Sequence, residues 1–235
     1  ISLNYNKLTK LRPDYGYSRL SEWHKGLSIS NDGLWLVSFS GKSELIVSLA
    51  ELHDLENIPR DLQSKVNHVV AAPSGDSILF LFRYFIDSRK VSCLYTYNIT
   101  TRKLSRLLEG VVSHYCWVSE NAYAVWYRDN QTGKLEIRGL HPCKYEVYSI
   151  ATNDGHPVLA SNGKLWFDSY PNIANKISVR EIDLETLRTL SRIDVLSKPV
   201  SSVLNRCDAH PKISHRYLVL DTYSSDGRCF GIFKI

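Results

Sequence analysis

The stretch Asn205-Arg206-Cys207-Asp208-Ala209-His210-Pro211 places an amide, a guanidinium, a thiol, a carboxylate and an imidazole side by side, directly ahead of the β-forming run KISHRYLVLD. In an extended chain Asp208 and His210, two residues apart, project to one side, while Cys207 and Ala209 project to the other. A carboxylate and an imidazole aimed together are good ligands for a divalent metal such as zinc, manganese or iron, and the thiol's opposite direction disfavours a softer ion. Asn205 stands just outside as a further donor or acceptor. The Arg206 guanidinium can grip a carboxylate as a bidentate fork. So can Arg12 in RPDYGY, a tyrosine-rich segment able to lie over a sugar ring. Two plainer readings stay open: Asp208 as a turn residue bonding backbone amides, and either arginine as a solvated surface group.

Three other segments carry a histidine in the same setting: His68 in VNHVVAAP, His114 in VSHYCW and His156 in DGHPVLAS. Each histidine opens a unit with a fixed order of parts. A turn follows (PSGDS, SEN, SNGK, SHR), then a strongly β-forming strand (ILFLFRYF, AYAVWYRD, LWFDSY, YLVLDTY), a hairpin and a third strand. A fourth strand closes the first three units. Successive histidines lie 46, 42 and 54 residues apart, and four-stranded units of about 40–50 residues mark the blades of a β-propeller. The predicted fold is therefore all-β, one propeller domain over 1–235, with clear blades near 66–108, 111–150, 155–195 and 206–235. The helical pattern nearest to competing, SLAELHDL at 48–55, reads as a short connection. The chain has no methionine, starts on a strand-like segment and ends one strand short of a blade. The sequence thus reads as a piece of a propeller of six or seven blades whose last sheet is completed by a segment before Ile1.

In a propeller the first strand of each blade borders the central channel, so the four histidines are expected to converge at one rim. His24, His53, His141 and His215 fall in turns or connections outside that phase. The competing explanation is an inherited blade motif in which each histidine bonds the neighbouring blade. Phe80, Phe82, Trp126 and Trp166 are expected to pack between blades and carry no site role.

Whole-chain properties bound the function. Hydrophobic content of 43% and charged content of 23% over 235 residues describe a folded globular chain. Fourteen tyrosines, seven phenylalanines and five tryptophans favour β-structure. A net charge of +5 is too weak and dispersed for a nucleic-acid protein but suits an acidic small molecule or glycan. No apolar run is long enough to span a bilayer. Five cysteines, an odd number without C-x-x-C spacing, indicate neither a disulfide framework nor a zinc ribbon. They fit reduced thiols in a cytoplasmic protein, with a periplasmic one as the alternative.

VNHVVAAPSGD, VSHYCW, DGHP and HPKISHRYLVLDTYSSDGR resemble the blade motifs of the oligogalacturonate lyase family and its TolB-like propeller relatives. The likeness runs from LNYNKLTKLRPDYGY across nearly the whole chain. The resemblance implies a seven-bladed propeller with a manganese-type metal at the channel rim, held by histidines and one amide. It also implies a further histidine as base for β-elimination of a uronic acid glycoside. On this resemblance His114 and His210 are metal ligands and His68 is the base. Asp208 stands where the lyases carry a second histidine, and Asn205 stands at the amide position, so the charge at the metal differs from theirs. Arg206 joins the catalytic set, and Asn67, Arg12, Tyr115 and His156 complete it as substrate contacts. The expected partner is an acidic oligosaccharide. The function expected is that of a metal-dependent lyase-like propeller. A non-catalytic propeller binding glycan or protein in polysaccharide metabolism or assembly, and a structural scaffold, remain as alternatives.

Overall fold

A computed structural model describes residues 2–3, 28–87, 89–128, 132–140, 148–151, 153–197, 207–225 and 227–235. The chain divides into two compact units, Ile1–Val112 and Ser113–Ile235.

In the first unit, β1 (Ser2–Leu3), β2 (Gly33–Val37) and β3 (Ser43–Ser48) form an antiparallel sheet, followed by the helix α1 (Leu49–Glu56). Then come β4 (Ser64–Ala71), β5 (Ser77–Ile86), β6 (Arg89–Asn98) and β7 (Lys103–Ser119), each antiparallel to the one before within the unit. Ile78, Phe80, Phe82 and Tyr84 alternate along β5 and bury one face against Leu34 and Leu52, which anchors this core. The connection predicted at 48–55 is a two-turn helix because its start is fully capped. The Ser48 hydroxyl accepts the Glu51 N–H at 3.1 Å, and Glu51 Oε2 accepts the Ser48 N–H at 2.9 Å. Within α1, His53 is fully buried and stapled at both ring nitrogens, Nδ1 to Pro59 O at 2.8 Å and Nε2 to Ser64 Oγ at 2.7 Å. β4 slips register against β5 between Asn67 and Val70, and His68 within that bulge adopts φ 54°.

β7 continues into the second unit, where it is followed in the same sheet by β8 (Ala122–Arg128), β9 (Gly133–Gly139) and β10 (Tyr148–Ala151). The next sheet is the meander β11 (Pro157–Leu159), β12 (Leu165–Phe167), β13 (Lys176–Ile182) and β14 (Thr189–Leu196). The last is β15 (Lys212–Ser214), β16 (Tyr217–Ser224) and β17 (Gly227–Lys234). Trp166, Ile177, Val179, Ala209, Leu218 and Leu220 join these last two sheets in one core. The turns repeat as the chain repeats: Gly75 and Gly163 take the left-handed position at φ 82° and 78°, and His215 takes it in the last sheet at φ 51°. Phe80, Phe82, Trp126 and Trp166 are all buried. Cys93, Cys116, Cys207 and Cys229 are free thiols. Among the described residues no helix is long and apolar enough to cross a membrane.

Candidate metal centre

Three of the four phased histidines meet within the second unit. The His114 and His156 ring centroids lie 4.0 Å apart, and those of His156 and His210 lie 4.2 Å apart. Tyr170 stands edge-on to both His114 and His156, its centroid 6.3 Å from each. Donor atoms of His156, Asp208 and His210 all fall within 4.8 Å of one another.

The local fold explains the convergence. Pro157 pairs with Phe167 across β11 and β12, so the residue before the proline, His156, faces the residue after the phenylalanine, Asp168. The Asp168 carboxylate is 1% exposed. It accepts the His156 backbone N–H through Oδ1, the His156 Nδ1–H at 3.0 Å through Oδ2, and the His210 backbone N–H at 3.1 Å through Oδ2. One buried carboxylate therefore sets the position of two histidines. A Cβ at Gly155 would stand 1.9 Å from the Asp168 carbonyl oxygen, so only glycine permits this approach. In the last sheet the Asp221 N–H donates to Ala209 O at 2.8 Å, and Asp221 Oδ2 lies 3.6 Å from His210 Nδ1. The His210 backbone sits at φ 42°, a conformation rare for a side chain of this size. Asp154 accepts the His114 Nδ1–H at 3.0 Å, with Ser113 Oγ also 2.8 Å from that nitrogen.

An imidazole that gives its Nδ1–H to a carboxylate presents the Nε2 lone pair as its ligand atom, oriented and made more basic by the acid behind it. Electrostatics favour the same form. Burial lowers the pKa of His114, against the opposing hydrogen bond to Asp154. Burial, followed by the neighbouring His156, lowers that of His210. Burial works to raise the Asp154 pKa, but the hydrogen bond and charge of His114, together with hydrogen bonds from Ser113 and the Gly155 N–H, hold the group below the ordinary carboxylate value. Neutral imidazoles beside ionised carboxylates are the protonation states that metal ligation requires. Cys207 turns away, its Sγ donating to Thr222 O at 3.5 Å.

The residues singled out from the sequence fall in several places. Asp208 and His210 lie together as donors. His156, expected as a substrate contact, joins them, while His114, expected as a ligand, lies beside His156 with its ring tilted against it. His68 belongs to the first unit, with its side chain exposed on the β4 bulge. Asn67 and Tyr115, expected to touch substrate, are each 6% exposed, interior positions of β4 and β7. Arg12, Asn205 and Arg206 lie outside the described residues, as do His24 and His141. Sequence reasoning missed Asp154, Asp168, Asp221 and Tyr170. Two repeats pointed to them: D-x-H-P at 154–157 and 208–211, and D-[ST]-Y at 168–170 and 221–223.

No family model matches the sequence, and no curated protein matches it. Solved structures do. The chain is similar to TolB from Acinetobacter baumannii, with a TM-score of 0.54 and 16% identity over 86% of this chain and 46% of that one. It is similar to an oligogalacturonate lyase in complex with manganese, with a TM-score of 0.53 and 10% identity over 86% of this chain and 71% of that one. It is also similar to the β-propeller domain of the Trilobed protease from Pyrococcus furiosus, with a TM-score of 0.52 and 9% identity over 72% of this chain and 53% of that one. It thus spans about half the length of TolB and of the protease propeller. At these identities the likeness carries the fold alone, and that fold is a β-propeller.

Proposed function

We propose that this chain is a metal-dependent propeller that cleaves uronic-acid-containing oligosaccharides by β-elimination. The observation that carries the reading is the convergence of His156, Asp208 and His210 donor atoms within 4.8 Å, backed by Asp168 on both histidines. Two imidazoles and a carboxylate fit a manganese-, zinc- or iron-type divalent ion. His156, Asp208 and His210 would hold it, with His114 alongside. Such an ion, when bound, draws a uronate carboxylate to itself and stabilises the negative charge that develops beside that carboxylate.

The chain's own residues supply the rest. Asp168 fixes the tautomer of His156 and the backbone position of His210. A neutral imidazole suits proton removal near physiological pH. The proton α to the carboxylate passes to the base, and its electron pair forms the new carbon–carbon double bond. The β carbon–oxygen bond breaks, and the departing glycosyl oxygen takes up a proton.

The test is ultraviolet absorbance of the unsaturated uronate formed from oligogalacturonate and other uronate oligomers in the presence of manganese. The reading expects absorbance that chelation abolishes and that His210→Ala removes. Binding of the oligomers with no absorbance on any substrate would instead make the chain a glycan-binding module.

A further inference from the structure

Tyr170 borders the histidine cluster without being one of its donors. It follows the most buried stretch at the end of β12. Trp166, Phe167 and Asp168 are 1%, 2% and 1% exposed, whereas Tyr170 is partly exposed. Its backbone is fixed from two directions. Asp168 is held by the backbone N–H groups of His156 and His210. Ser169 Oγ donates to Tyr170 O at 3.2 Å and accepts the Ser178 N–H at 3.2 Å, which ties the segment to β13. A rigid ring is thus carried two side-chain torsions from a clamped backbone, so little freedom is lost when something packs on it.

The ring centroid stands 6.3 Å from those of both His114 and His156, with its plane at 79° to each. The histidines beside it are open to solvent: the His114, His156 and His210 side chains are 16%, 17% and 36% exposed. The opening therefore presents polar ligand atoms with an aromatic ring next to them. A carboxylate alone has no use for that ring, since an anion is met by cations, N–H groups or a metal. A sugar does. A pyranose carries hydroxyls around its rim and C–H groups on its faces, and an aromatic ring beside a polar anchor recognises it by removing those C–H groups from water.

We propose that Tyr170 is the sugar platform of this site, its ring packing against the pyranose of a uronate whose carboxylate lies at His156, Asp208 and His210. This role rests on the metal-dependent reading of that cluster and adds what the site selects: a cyclic uronate over an open-chain hydroxy acid. Both offer the same carboxylate, and only the ring meets Tyr170.

Calorimetric titration of galacturonate, and separately of L-galactonate, into the manganese-loaded full chain tests the platform. L-galactonate keeps the carboxylate and the hydroxyls but cannot close the pyranose ring. Manganese binding is followed in parallel by electron paramagnetic resonance. The wild type is expected to bind galacturonate more tightly than L-galactonate. Tyr170→Leu, which keeps apolar bulk without an aromatic plane, is expected to weaken galacturonate about three- to tenfold, the worth of one aromatic contact. L-galactonate and manganese should bind this variant as they bind the wild type, and Tyr170→Phe should retain all three affinities. The platform is overturned by equal binding of the two acids to the wild type, or by galacturonate binding that Tyr170→Leu leaves unchanged. It is also overturned if Tyr170→Leu weakens both acids alike or lowers manganese affinity, as loss of a ring that merely positions His114 and His156 would. Loss of galacturonate in Tyr170→Phe as complete as in Tyr170→Leu would overturn it too, by assigning recognition to the hydroxyl. Failure of the metal reading is seen separately, as manganese left free by the wild type, and the platform then falls with its anchor.

Discussion

Asp168 is the residue on which the cluster of His156, Asp208 and His210 depends most, although it is not itself one of the three converging donors. Its two oxygens accept three N–H groups from His156 and His210 while the carboxylate stays 1% exposed. Asp168→Asn turns one acceptor into a donor and sets it against an N–H. Metal affinity, measured by competition with a coloured chelator, should fall about 10–100-fold, the usual effect of losing an outer-shell carboxylate. Gly155→Ala should act through packing, because the new methyl collides with the Asp168 backbone. A loss of roughly 1–3 kcal/mol in chemical denaturation is expected. The histidines and Asp208 were legible in the sequence because imidazoles in a common phase of a repeat stand out. The supporting aspartates were not, since an aspartate in a loop or at a strand end is ordinary as a turn or capping residue. Only the pairing of D-x-H-P with D-[ST]-Y separates them from that background.

At the scale of elements, two ionisable groups flanking the β2–β3 hairpin and its helix give opposite pH signatures. The Asp32 carboxyl, ahead of β2, is pushed up to about 6 by burial, against a hydrogen bond from the Gly33 N–H. The folded chain therefore holds more protons than the unfolded one between about 4 and 6, and stability falls as pH rises through that window. Asp32→Asn keeps the acceptor and should stabilise at pH 7 by roughly 1–2 kcal/mol after allowance for partial exposure, with little effect at pH 4. His53 behaves in reverse. Burial lowers its pKa below 6.5, against the opposing bond to Pro59. Its stabilising contribution is complete above 6.5 and is lost as pH falls below that value. Melting curves of His53→Gln should accordingly show a weaker decline on acidification than the wild type. Strands were readable from apolar alternation, as in SILFLFRYFI. The helix α1 was not, because two turns offer too short a period to outweigh neighbouring strands. Its capping box, Ser48 with Glu51, was the available signal.

At the scale of the molecule, repetition made the architecture readable. The four-part units appear as antiparallel meanders, and the likeness to TolB and to a protease propeller carries the fold. Such likeness leaves function to the site, since propellers host many activities. What the repeat could not convey is which donors meet: His156, rather than His114, stands with Asp208 and His210, a result of the strand register at Pro157 and Phe167. These three side chains are proposed to hold a divalent ion. Electron paramagnetic resonance of free manganese during titration into the full chain tests it most directly. The account predicts one saturable manganese site per chain, abolished by His210→Ala and by Asp208→Ala in protein that still melts cooperatively. Manganese that stays free throughout, or binds equally well to both folded variants, would contradict it.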